Sequence, residues 1–181
     1  MIEQGIILAG GAGRRMGGVF KGALPWRGRP LLHQVADRLA PQVRQLAVNA
    51  NEDHPLLADF EVFADPPACR NVGPLGGVLS AMRRFPGRWL LLAPVDMPDF
   101  PLDMGERLRV ALRPEDRYAC LQGPRRDYPL LALAHTSLAD ELEAYLAGGQ
   151  RRVMDWLVRI DARRVEIDHD LTNCNRPEAL T

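Results

Sequence analysis

Residues 88–95, RWLLLAPV, put apolar side chains on both faces of any strand they form. Strand residues alternate between faces, so a segment that is apolar at successive positions needs cover above and below. That is the signature of a central strand in a mostly parallel sheet sandwiched between helices. The rest of the chain alternates to match. Residues 5–9, 45–49, 61–64, 117–121, 130–134 and 163–167 read as further strands, and 30–39, 75–84, 101–112, 137–147 and 153–159 as helices. In the first helix Leu32, Val35, Ala36 and Leu39 recur at helical spacing, and Pro41 lies just past its end. This order predicts a three-layer α/β/α, Rossmann-like domain over residues 1–181.

Composition narrows the function. Lys plus Arg (23) balances Asp plus Glu (23), so the chain lacks the basic excess of a protein that grips nucleic acid through its phosphates. No run approaches membrane-spanning length, and no basic start with a long apolar core marks a signal peptide. Cys69, Cys120 and Cys174 are far apart and odd in number, which fits free thiols in a reducing, cytoplasmic compartment better than a disulfide framework. The 23 basic residues include one lysine, Lys21, and it falls in the glycine-rich stretch 10–22.

In open α/β sheets ligands bind outside the carboxyl ends of the strands. Here those ends are residues 8–21, 49–51, 64–65 and 94–96. The first, LAGGAGRRMGGVFKG, combines glycines that let backbone N–H groups approach a phosphate with the cations Arg14, Arg15 and Lys21. It matches neither the P-loop pattern nor GxGxxG. Asp96 ends the most apolar strand, and a carboxylate buried there needs a partner. Turn capping is one reading; Mg²⁺, which commonly takes one or two carboxylates plus phosphate oxygens, is the one that the strand-end position favours. Asp65 is the natural second acid or a turn residue. Asn49 and Asn51 suit either a turn or a hydrogen bond to base or ribose.

Taken in order, these segments resemble the nucleotidyltransferases of the molybdenum cofactor guanylyltransferase (MobA-type) family. Leu8-Ala9-Gly10-Gly11, Arg15-Met16-Gly17-Gly18 and Lys21-Gly22 resemble the signature LAGGxxxRMGGxDKG. Asn49-Ala50-Asn51, Gly73-Pro74-Leu75-Gly76-Gly77 and Pro94-Val95-Asp96-Met97-Pro98 are similar to its later elements. So are Asp127-Tyr128-Pro129, Arg151-Arg152-Val153 and Asn173-Cys174-Asn175.

The resemblance implies transfer of GMP from GTP to a molybdopterin-type acceptor, with release of pyrophosphate. It implies Arg15, Lys21 and Asp96 as the catalytic set, with Mg²⁺ on Asp96. Leu8, Ala9, Gly10, Gly11, Asn49 and Asp65 would join Lys21 and Asp96 in binding the nucleotide, and Tyr128, Arg152, Asn173 and Asn175 would face the acceptor. Transient contact with cofactor-insertion proteins or molybdoenzymes is a further implication. Gly10, where related cytidylyltransferases carry alanine, favours guanine by leaving room for the larger base. Two departures stand out: Phe20 where the family has an acid, and Tyr128 where it has histidine. Phe20 also admits a second reading, a GTP-binding partner with weakened catalysis, and a CTP or sugar-phosphate nucleotidyltransferase is a third.

Overall fold

The computed structural model describes residues 1–10 and 20–174. The strand β1 (Ile2–Leu8) leads through a 3-10 turn, Lys21–Ala23, to a small hairpin of β2 (Pro25–Trp26) and β3 (Arg29–Pro30). Next come α1 (Leu31–Leu39), β4 (Val43–Asn49), β5 (Glu61–Phe63), α2 (Pro74–Arg84) and β6 (Trp89–Pro94). The chain ends through α3 (Met104–Ala111), β7 (Tyr118–Gln122), β8 (Asp127–His135), α4 (Ala139–Ala147), α5 (Val153–Arg159) and β9 (Arg163–Glu166). Seven strands form one sheet in the order β5-β4-β1-β6-β8-β7-β9. β5, β4, β1 and β6 run parallel; β8 is antiparallel to β6 and to β7, and β9 is parallel to β7.

The apolar stripe of α1 is the one that its spacing predicts: Leu31, Leu32, Val35, Ala36 and Leu39 are buried. They meet Met104 and Leu108 of α3 and the side of the sheet that carries Ile7, Leu91 and Ala93. On the other face α2, α4 and α5 bring Leu75, Val78, Leu142 and Trp156 against Ile6, Leu90 and Leu92. β6 is therefore covered on both faces. Each fully buried leucine contributes about 1.5–3 kcal/mol by leaving water, so the two cores fix the strand ends that carry the polar residues.

Several local features differ from the sequence reading. The β2–β3 hairpin turns through Arg27 and Gly28, both at positive φ (49° and 77°), the two-residue geometry that matches strand twist. β8 begins three residues earlier than expected, at Asp127, because Tyr128 and Asp127 pair with Leu121 and Gln122 beyond a register shift. Such an irregularity is where Pro129 is tolerated in a strand. The helix expected over 101–112 starts at Met104, and that expected over 137–147 begins at Ala139 after a 3-10 turn, Thr136–Leu138.

Candidate active site

From β1 the chain passes through α1 to β4 on one side, then through α2 to β6 on the other. The order therefore reverses between β1 and β6, the place where doubly wound sheets open a crevice. Their ends are joined there: Leu8 faces Pro94 in the ladder, and the Val95 N–H donates to the Leu8 carbonyl at 3.1 Å. Asp96 follows at once. Beside it the 3-10 turn places Lys21, whose Nζ lies 2.6 Å from Asp96 Oδ2, with the two side chains 27% and 15% exposed. Seventy-five residues separate them in sequence. Each of these partly buried charges gains the partner that its desolvation demands.

A second cluster fills the neighbouring strand ends. Asn49, at the end of β4, donates from Nδ2 to Asp65 Oδ1 at 2.9 Å, and Asn51 donates to Asp65 Oδ2 at 2.8 Å. The Asp65 N–H returns a bond to Asn51 Oδ1 at 2.7 Å, and Arg70 Nε donates to the Asp65 carbonyl at 3.0 Å. Asn49 and Asp65 are 1% and 6% exposed. Asn49 and Asp65 are thus buried as a hydrogen-bonded pair, with the exposed Asn51 closing the network from the solvent side.

Two glycines make room for it. A Cβ on Gly10 would lie 2.8 Å from Asn49 Oδ1 and 3.0 Å from Asn51 Nδ2, and one on Gly77 would lie 2.5 Å from Asn49 Oδ1. The space over Gly10, expected to accommodate a larger base, is thus filled by the two carboxamides. The Ala9 N–H donates to the Asn49 carbonyl at 2.9 Å, and the Gly10 carbonyl accepts from Asn51 at 3.2 Å. The amide of Ala9, expected to join in binding the nucleotide, is engaged in extending the sheet. Gly11 and Arg15 lie outside the described residues, as does Asn175.

The C-terminal segment closes the third side. The Cys174 N–H donates to the Asp96 carbonyl at 2.9 Å, and the Thr172 N–H to both oxygens of Asp99 at 3.1 and 3.0 Å. Asn173 is held between these two attachments, beside Asp96. Asp99 was not singled out from the sequence; its spacing from Asp96 gives no sign that it anchors a segment 73 residues away. The Cys174 thiol is buried, and that burial pushes it up to about 11, the Asp99 and Asp96 carboxylates acting in the same direction.

Tyr128 is 5% exposed. Its hydroxyl accepts from the Leu171 N–H at 2.6 Å and from Arg126 Nε at 3.2 Å, and lies 3.2 Å from Asp170 Oδ1. Tyr128 therefore braces the C-terminal segment rather than presenting a hydroxyl to solvent. The exposed Arg152 stands at the start of α5, its carbonyl accepting from Tyr145 at 2.8 Å.

Two cavities open to solvent, on different sides of the sheet's ends. One of about 290 Å³ is lined by Arg125, Arg126, Asp170, Leu171 and Thr172, next to the brace. The other, about 340 Å³, includes Gln45, Arg84 and Arg88 at the amino ends of the strands, away from the crevice. Among the described residues no group of three or more His, Cys, Asp or Glu could cage a metal. Asp96 as a lone carboxylate at a strand end instead suits Mg²⁺ that completes its shell with phosphate oxygens and water. No helix among the described residues is long and apolar enough to cross a membrane.

Comparison with known proteins agrees with this architecture. The family described as the MobA-like NTP transferase domain matches residues 5–162. A molybdenum cofactor guanylyltransferase of Mannheimia succiniciproducens is 42% identical over 152 residues, 82% of this chain and 80% of that protein. Another, from Cereibacter sphaeroides, is 40% identical across 97% of this chain and 92% of its own length. Among solved structures, molybdopterin-guanine dinucleotide biosynthesis protein A from Archaeoglobus fulgidus shares the fold with a TM-score of 0.73 at 24% identity, covering 90% of this chain and 83% of that one. The chain is therefore a nucleotidyltransferase, a member of the MobA-like NTP transferase family that includes the molybdenum cofactor guanylyltransferases.

Proposed function

We propose that the protein transfers GMP from GTP to a molybdopterin-type acceptor, forming a molybdopterin guanine dinucleotide. The observation that carries this reading is the 2.6 Å approach of Lys21 to Asp96 at the switch point of the sheet, in a chain of this family. The acceptor's terminal phosphate oxygen attacks the α-phosphorus of GTP, a new P–O bond forms, and the bond to the bridging oxygen breaks as pyrophosphate leaves. Such a reaction needs in-line placement and neutralised charge rather than covalent help from the protein.

Lys21 and Arg15 take the triphosphate, and Asp96 holds Mg²⁺. When bound there, the ion supplies charge neutralisation and a template for the phosphates. Asn49 and Asp65, fixed by their mutual hydrogen bonds, carry the guanosine. Asn173, Asn175 and Arg152 face the acceptor, and Tyr128 positions the segment bearing the first two. Transient delivery contacts with cofactor-insertion proteins or molybdoenzymes, and a cytoplasmic setting consistent with the buried thiols, complete the reading.

The test is pyrophosphate release from GTP, CTP, ATP or UTP with the reduced phosphopterin acceptor, with and without Mg²⁺. Turnover with GTP alone, dependent on Mg²⁺, is expected, and Lys21→Ala lowers it by roughly a hundredfold or more, the scale of a lost transition-state charge contact. Parental turnover in Lys21→Ala, or GTP binding without product, refutes the assignment.

A further inference from the structure

Phe20 stands where the family resemblance implies an acid, next to Lys21. Its ring does not face the crevice opening: Phe20 is 4% exposed and belongs to the core that includes Trp26, Leu32 and Leu57. One side of the ring rests on backbone, since a Cβ on Gly22 would lie 2.6 Å from Phe20 Cε1 and 2.7 Å from Cζ. The ring also stacks on the imidazole of His54, with centroids 4.9 Å apart and planes tilted by 31°. The turn between is pinned on both sides of the lysine: the Ala23 N–H donates to the Phe20 carbonyl at 2.9 Å and the Leu24 N–H to the Lys21 carbonyl at 3.1 Å.

His54 is itself fixed. Its Nδ1 accepts from the Leu56 N–H at 3.2 Å and its carbonyl from the Leu57 N–H at 2.9 Å. It also lies three residues beyond Asn51, whose side chain holds Asp65. The stack thus runs from the turn that carries the cation to the loop that carries Asn51, one member of the amide–carboxylate cluster.

We infer that Phe20 and His54 form a strut that sets Lys21 at a fixed distance from the Asn49–Asn51–Asp65 cluster, so that one nucleotide meets both. They are positioning residues acting through Lys21. The inference rests on the reading above that Lys21 contacts the triphosphate. It explains how an aromatic side chain serves at this position: the strut holds the lysine's main chain by packing. The Lys21–Asp96 pair is a second hold, but Asp96 must share its oxygens once it takes Mg²⁺. In the nucleotide complex the strut therefore carries more of the placement than in the free protein.

The test compares GTP with guanosine, both titrated calorimetrically in the presence of Mg²⁺. Phe20→Ala and His54→Ala are each expected to weaken GTP by about tenfold, the upper range for an aromatic pair, and to leave guanosine unchanged. The double variant is expected to be no worse than the weaker single one, and His54→Phe restores GTP binding by renewing the stack. If Phe20→Ala does not fold, Phe20→Leu keeps the bulk, loses the stack and gives the same contrast.

GTP affinities within about twofold of the parent in both single variants overturn the strut. So does equal weakening of GTP and guanosine, which marks general loosening, and so does failure of His54→Phe to restore binding. Lys21→Ala separates the two layers. Parental GTP affinity there removes the reading of Lys21 itself, whereas a loss confined to Lys21→Ala removes only the strut.

Discussion

Tyr128→Phe removes one oxygen and leaves the ring, so it isolates the brace on the C-terminal segment. The hydroxyl accepts from the Leu171 N–H at 2.6 Å, and Leu171 is 2% exposed. Without the oxygen that amide is buried and unpaired, at a cost of about 1–3 kcal/mol. A chain of this size loses roughly 2–4 °C of Tm per kcal/mol, so global melting should fall by about 2–12 °C. Relief by local opening would keep the shift at the low end and appear as faster amide exchange. The Arg126 guanidinium, 5.0 Å above the ring, keeps its cation–π contact in the variant, which confines the perturbation to the hydroxyl. Thermal melting together with hydrogen exchange across residues 171–174 is the assay. Asn173 rides on this segment beside Asp96, so the acceptor's KM is expected to rise while that of GTP holds. Parental melting with unchanged exchange at Leu171 and Thr172 would refute the idea that this hydroxyl secures the acceptor side.

Gly10→Ala sets a methyl 2.8 Å from Asn49 Oδ1, so the cluster must shift; a loss of roughly 1–3 kcal/mol in stability and weaker GTP binding are expected, read by melting and calorimetry. Two buried thiols contribute to the alkaline limb of stability. Burial pushes Cys120 up to about 12 and Cys174 up to about 11, so the folded chain keeps protons that the unfolded chain releases. Their stabilisation is complete below the unfolded value and falls, from roughly pH 8.5 upward, by about 1.4 kcal/mol per pH unit for each thiol until its folded value is reached. Melting of the double Cys120→Ala, Cys174→Ala variant should decline less steeply between pH 9 and 11 (about 1.4 kcal/mol per thiol per unit less); an identical slope contradicts this.

The elements most legible in the sequence were those whose burial is decided by their own periodicity. β6 could be read from Leu90, Leu91, Leu92 and Ala93 because both faces had to be covered, and they are. The same holds for α1. The β2–β3 hairpin was missed because its strands are two residues each, too short for any period, and its one local sign is Gly28. The early start of β8 was missed for a different reason. Pro129 argues against a strand on its own, and only the shifted partner on β7 makes Asp127 and Tyr128 extended.

The site divides along the same line. That Asp96, Asn49 and Asp65 end strands is a local property of the chain, and strand ends of a parallel sheet must gather on one side. What those side chains do once gathered is not local. Asp65 takes two carboxamides because Gly10 and Gly77 admit Asn49, and Asp99 holds Thr172 through a contact that 73 residues of intervening chain conceal. Phe20 shows the limit most directly. Read beside Lys21 in sequence, an aromatic residue in place of an acid suggests a damaged site. Seen against His54 and Gly22, the same ring is part of the core, and the lysine still reaches Asp96. The loss of a charge at one position therefore says little about catalysis until the direction of the replacing side chain is known, because a site built on positioning tolerates new chemistry wherever the backbone of the acting residue stays held.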